Sequence, residues 1–139
     1  MSIELKGLDE ILERLDGLSV DQVRSNMGKA CALVEAAAKR NAPKGTGELR
    51  RSITSKVETQ GGDVIGIVYT PLEYAPYVEY GTGLFAETGG RQDVPWCYQD
   101  DKGEWHTTSG QHPQPFMRPA LYTSREEIKR ILKEGLLND

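Results

Sequence analysis

The run ITSKVETQGGDVIGIVYT, residues 53–70, sets the middle of the chain apart from its flanks. Ile53, Ser55, Val57 and Thr59 alternate with polar neighbours, the period of a strand with one covered face. Gly61-Gly62-Asp63 then supplies a hairpin turn into Val64 to Thr70, which is rich in β-branched residues. Pro71 breaks the second strand, because a proline has no N–H to give to a ladder. The reading is therefore an antiparallel hairpin bounded by helical sequence.

Upstream of residue 53 the period is helical. Val20, Val23, Met27, Ala30, Val34, Ala37 and Ala38 share one face, mostly of small residues that let another element approach closely. This helix is expected to lie flat against a sheet. Ser19 with Gln22 offers a capping box at its start, and Asn41-Ala42-Pro43 ends it, since the residue before a proline avoids helical angles. Before it, Leu8, Ile11, Leu12 and Leu15 predict a further helix, with Glu10, Glu13, Arg14 and Asp16 on its other face and Gly17 closing it. Lys44 to Gly47 reads as a turn. Thr46 is expected to cap a single helical turn over Leu49 to Ser52, with Glu48 near its positive end.

Downstream, YAPYVEYGTG (Tyr74 to Gly83) places Tyr74, Tyr77 and Tyr80 at i, i+3, i+6 spacing; helix and strand both remain open for Tyr77 to Tyr80, as do core and interface for the rings. Residues 84–111 read as an excursion: a glycine-rich segment, then VPWCYQDDKGEWHTT as a hairpin turning at Asp100-Asp101-Lys102-Gly103. That turn sets Tyr98 opposite Trp105 and Cys97 opposite His106. After Pro113 and Pro115, Phe116 and Met117 are apolar anchors. Pro119 suits the first turn of a closing helix carrying Leu121, Ile128, Ile131, Leu132 and Leu136.

The 139 residues suit one domain, residues 1–139, with 84–111 protruding. A net charge of −4 argues against a polyanion-binding surface over the whole molecule. The N-terminus lacks the basic-then-apolar pattern of a signal peptide, and no run approaches the ~18 apolar residues of a membrane span. Cys31 and Cys97 read as two free thiols.

Catalysis finds little support. His106 and His112 are the only imidazoles; Ser109 stands three residues before His112, but nothing orients that ring or supplies an oxyanion hole. Cys97, His106 and His112 offer three zinc ligands without the usual close pairing, with Asp100, Asp101 or Glu104 as a fourth, so no metal is assigned. In Lys44-Gly45-Thr46-Gly47 the lysine precedes the glycines, the wrong order for a phosphate loop, and no cofactor is implied. Lys39, Arg40, Lys44, Arg50, Arg51 and Lys56 form the one basic concentration. An alternative function is a nucleic-acid-binding module on this Lys39–Lys56 segment; pairing with carboxylates between subunits explains it equally well.

Three runs together resemble the small neck proteins of long-tailed bacteriophages and prophages, the head–tail joining or tail-completion family. The first is a Pro–loop–Thr-Gly-x-Leu-Arg-x-Ser-Ile turn, here Pro43, Thr46, Gly47, Leu49, Arg50, Ser52 and Ile53. The second is Tyr74, Ala75, Tyr77, Val78, Glu79, Gly81 and Thr82. The third is Pro113, Pro115, Phe116, Met117, Arg118, Pro119 and Ala120 at the entry to the closing helix. One departure is Lys44-Gly45, where the family often carries an acidic residue.

The resemblance implies an α+β fold, with helices packed on an antiparallel sheet, and no catalysis. It also implies a homo-oligomeric ring, six-fold in the virion, between the portal-side connector and the tail tube. Partners would be connector, tail-terminator or tail-tube proteins, with DNA passing through the lumen unbound and no membrane. Assembly would take place in the bacterial host cytoplasm. In this reading Tyr77, Val78 and the Gly81-Thr82-Gly83 bend shape the fold, and the excursion meets partners.

Overall fold

The computed structural model describes residues 1–5 and 20–135. The helix expected over Leu8 to Leu15, the Ser19 cap and Leu136 lie outside the described residues. The chain divides into two compact units, Met1–Pro71 with Phe116–Asp139, and Leu72–Pro115.

In the first unit, β1 (Ser2–Leu5), β2 (Thr54–Gln60) and β3 (Asp63–Tyr69) form an antiparallel sheet in the order β1-β3-β2. The β2–β3 register runs from Thr54 opposite Tyr69 to Gln60 opposite Asp63. Gly61 (φ 57°) and Gly62 (φ 92°) make the two-residue turn, and two successive positive φ values match the twist of the strands it joins. β1 was not foreseen; Ser2–Leu5 is too short to show a period.

Against the sheet lies α1 (Val20–Asn41), which ends just before Ala42-Pro43 as expected. Its buried residues are Val23, Asn26, Met27, Ala30, Cys31, Val34, Ala37 and Ala38, one stripe at helical spacing. α1 packs on β2 and β3 and on the closing helix α4 (Met117–Lys133). The close approach to the sheet depends on Gly66, opposite Val57 in the ladder. A Cβ there would overlap Cys31 Sγ and stand 2.7 Å from Met27 Sδ.

α1 also holds both ends of α4. Asn26 Nδ2 donates to the carbonyls of Leu132 (3.3 Å) and Glu134 (2.8 Å), while its Oδ1 accepts from Gln22 Nε2 at 2.9 Å. At the other end Asn41 Nδ2 donates to the Phe116 carbonyl at 3.3 Å. The helices therefore run antiparallel. α4 buries Met117, Ala120, Ser124 and Ile128, again at helical spacing.

Between α1 and β2 stands the single-turn helix α2 (Glu48–Ser52). The expectation that Thr46 is its cap residue is corrected: Gly47 occupies that position with φ 81°. Two residues ahead of Glu48, the Thr46 hydroxyl still accepts the Glu48 N–H at 3.3 Å. Glycine wins the position because its backbone turns left-handed there, and a Cβ would meet Arg51 Nη1 at 2.7 Å.

The second unit holds α3 (Ala75–Tyr80), a 3₁₀ turn over Gly83–Phe85, and the hairpin β4 (Trp96–Gln99) and β5 (Trp105–Thr108). The open choice for Tyr77 to Tyr80 thus falls to helix. Helices packed on an antiparallel sheet, with a separate hairpin, make an α+β protein.

Candidate assembly surface

Each signature run has a local structural part. In the first, Gly47 N–H closes the Lys44 turn at 2.8 Å and Arg51 Nη1 donates to the Thr46 carbonyl at 3.3 Å. Leu49 is buried, and Ser52 Oγ lies 2.6 Å from the Leu49 carbonyl and 2.7 Å from Thr70 Oγ1, tying α2 to the end of β3. Pro43 is half-buried after α1, and Arg50 Nε is buried.

In the third run Phe116 and Met117 are fully buried and Ala120 joins them. Arg118 and Pro119 are half-buried in the first turn of α4, while Pro115 is exposed. In the second run, Ala75 and Glu79 are fully buried on one side of α3. Its other side carries Tyr74, Tyr77 and Tyr80, exposed by 39%, 61% and 39%. Those exposures exclude the core reading of the three rings. Val78 is half-buried, and its carbonyl accepts from Gln114 N–H at 2.8 Å.

Gly81 ends α3 with φ 84°, its N–H bonded to the Tyr77 carbonyl at 2.9 Å. Next, Thr82 N–H donates to the Gln111 carbonyl and Gln111 N–H to Thr82 Oγ1, both at 2.9 Å. Leu84 N–H reaches the Ser109 carbonyl at 2.9 Å. The excursion thus leaves and returns through one pinch. Gly83 and Gly110 are required there, since a Cβ on Gly83 would stand 2.8 Å from Gly110 Cα. Tyr77, Tyr80, Gly83, Gly90, Arg91 and Trp96 line a cleft of about 470 Å³ beside it. The Arg91 guanidinium lies over the Trp96 ring at 4.8 Å and is fixed by Asp93 at 2.8 and 3.0 Å.

The hairpin register differs from the expected one by a single residue. Tyr98 faces His106 and Cys97 faces Thr107, with Gln99 opposite Trp105. The reason is the turn. Asp100 N–H donates to the Glu104 carbonyl at 2.9 Å, and Asp100 Oδ1 accepts the N–H groups of Lys102 (2.9 Å) and Glu104 (2.8 Å). Asp101, Lys102 and Gly103 are left as a three-residue loop, with Gly103 at φ 83° in the left-handed position foreseen for it.

One step of register moves every side chain to the other face. Cys97 and His106 therefore do not come together, which corrects the proposed zinc pairing. Cys97 Sγ lies 3.6 Å from Thr107 Oγ1, and the His112 ring packs on Phe85 at 3.9 Å. A different trio, Asp100, Glu104 and His106, has its ligand atoms within 4.8 Å of one another. The turn itself accounts for that trio: Asp100 Oδ1 is taken by two amides and Oδ2 by His106 Nε2 at 2.7 Å. These bonds, the His106 bond foremost, hold the Asp100 carboxyl below the ordinary carboxylate range. His106 also stacks on Tyr98 at 5.3 Å.

The basic segment is partly neutralised. Lys39 pairs with Glu35 at 3.4 Å and Lys56 with Glu58 at 3.0 Å, whereas Arg40, Lys44 and Arg51 are exposed. Among the described residues no helix is long and apolar enough to cross a membrane.

A family model described as "Bacteriophage HK97-gp10, putative tail-component" matches residues 6–81, more than half of the chain. The chain belongs to the HK97-gp10-like family of phage tail components. No curated protein and no solved structure matches it. The match takes in the first signature run of this tail component and the second as far as Gly81, and stops short of the 84–111 excursion. A family of structural tail components points to virion proteins as its partners and to the virion as its location.

Proposed function

We propose that this tail component is a structural protein of the head–tail joint. Copies associate head-to-tail into a homo-oligomeric ring, six-fold in the virion, that links the portal-side connector to the tail tube. The observation that carries this reading is where the apolar surface lies. Of the nine large hydrophobic side chains exposed among the described residues, seven lie in Leu72–Pro115: Tyr74, Tyr77, Tyr80, Leu84, Phe85, Tyr98 and Trp105. Clustered exposed aromatics mark contact surfaces, because each ring offers large burial at small entropic cost.

Head-to-tail contacts between unlike faces close into a ring when the rotation suits them. The net charge of −4 fits a lumen through which DNA slides without being held. The working principle is geometric, so no residue is given a catalytic role.

Sedimentation of the purified protein, alone and mixed with connector, terminator and tail-tube proteins, tests the reading. A discrete oligomer, or co-sedimentation with a neighbouring layer, is expected. A monomer that binds none of them overturns it.

A further inference from the structure

The β4–β5 hairpin presents a surface that its own unit leaves open. Every residue from Cys97 to Thr107 is exposed except Asp100, and Trp105 is 70% exposed. Two short strands with open edges are marginal alone and need something to lean on. The register places Trp105 on the hairpin face opposite Trp96, Tyr98 and His106, so stacking on that side does not cover it. Asp100, Asp101 and Glu104 surround the turn with a single cation, Lys102. The end of the hairpin thus carries an exposed indole on one face, the Asp100 and Glu104 carboxylates gathered about His106 on the other, and Asp101 in the loop between the strands.

The first unit offers the opposite charge. Residues 39–56 carry six cations against one carboxylate, Glu48. Arg40, Lys44 and Arg51 in that segment are exposed, at the end of α1 and around α2. Arginine beside an indole is a favourable pair, which Arg91 and Trp96 already form in this chain.

We propose that the acidic hairpin end, Asp100–Trp105, of one copy docks on the basic Lys39–Arg51 segment of the next copy. This contact rests on the ring reading above and assigns its two unlike faces. Asp101 and Glu104 meet Arg40 and Lys44, and Trp105 lies across the arginine stems. Unlike faces of opposite sign favour a head-to-tail neighbour and disfavour like-with-like pairing. The same contact would occupy the basic segment and leave it no free face for DNA.

Charge reversal tests the contact with the full chain. One variant carries Asp101→Lys with Glu104→Lys, the other Arg40→Glu with Lys44→Glu, and melting curves check that both are folded. Each alone should self-associate at least roughly tenfold more weakly than wild type by sedimentation velocity. An equimolar mixture should recover association, because each variant's hairpin then faces a segment of opposite sign on the other. Two results overturn the contact while leaving the ring reading in place: variants that associate like wild type, or a mixture that recovers nothing. Duplex DNA binding lost in the Arg40/Lys44 variant, with association unchanged, assigns the segment to nucleic acid and also overturns it. A wild type that stays monomeric, alone and with its partner layers, removes the ring reading and this contact with it.

Discussion

Asn26 Nδ2 lies 2.8 Å from the Glu134 carbonyl oxygen, so a polar side chain inside the apolar stripe of α1 terminates α4. Its second acceptor, the Leu132 carbonyl, would also be left at the end of a helix without an intrahelical partner. Asn26→Ala strips a donor from both carbonyls. It should cost about 1–3 kcal/mol in chemical denaturation. Gln22→Ala, which removes only the bond to Asn26 Oδ1, should cost less. Equal costs for the two variants would show that Asn26 does not act through α4.

At Gly66 the helix and the sheet approach too closely for a side chain. Gly66→Ala forces its new methyl against Cys31 Sγ and Met27 Sδ, and overpacking of this kind costs roughly 1–3 kcal/mol. Cys31→Ala in the same chain removes the sulfur and should recover part of the loss. A melting temperature unchanged by Gly66→Ala would mean that α1 stands further from β3 than the structure places it.

The two thiols should differ sharply. Burial first, and the Glu35 charge second, push the Cys31 thiol from 9.0 up to about 11, whereas Cys97 is exposed. At pH 8 a maleimide should modify one thiol per native chain and two in denaturant, counted by mass spectrometry. Between pH 9 and 11 the unfolded chain loses the Cys31 proton and the folded chain keeps it. Stability should therefore fall as pH rises through that window. Rapid native labelling of Cys31 would contradict this.

Asp100 gives the hairpin an acid limit. The carboxylate pKa is depressed from 3.8 by the His106 bond and then by the Glu104 amide. Such a group stabilises the fold above its unfolded-state pKa, and that contribution disappears as pH falls through the lowered value. The Lys102 and Glu104 amide resonances, which report the bonds to Asp100 Oδ1, should hold until pH drops below 3.8 and then move together. In Asp100→Ala that acid transition should be absent. Its persistence there would assign it to another group.

Sequence pattern disclosed the first unit well because burial imposes a period on it. The small-residue face of α1 follows from one covered side, and the Gly61-Gly62 turn from two successive positive φ values, while the alternation from Ile53 weakens toward Thr59, which is exposed. Asn26 escaped the same reading, since a polar residue in an apolar stripe signals no partner until α4 is placed beside it. The spacing of Tyr74, Tyr77 and Tyr80 fixes which side of a helix they share, yet not whether that side is covered.

The hairpin register failed for a local reason. Asp-Asp-Lys-Gly fits a two-residue or a three-residue loop, and the choice rests on Asp100 Oδ1 taking both the Lys102 and Glu104 amides. That single residue of slip separated Cys97 from His106 and dissolved the zinc trio. It also set Trp105 on the face away from Tyr98, where the intersubunit contact is proposed.

Electron microscopy of phage particles labelled with gold against this protein locates it in the virion. A protein of the head–tail joint gives label confined to a collar there, and separate heads and tails when the gene is disrupted. Label along the tail shaft or at its far tip, or joined infectious particles without the protein, would contradict that placement.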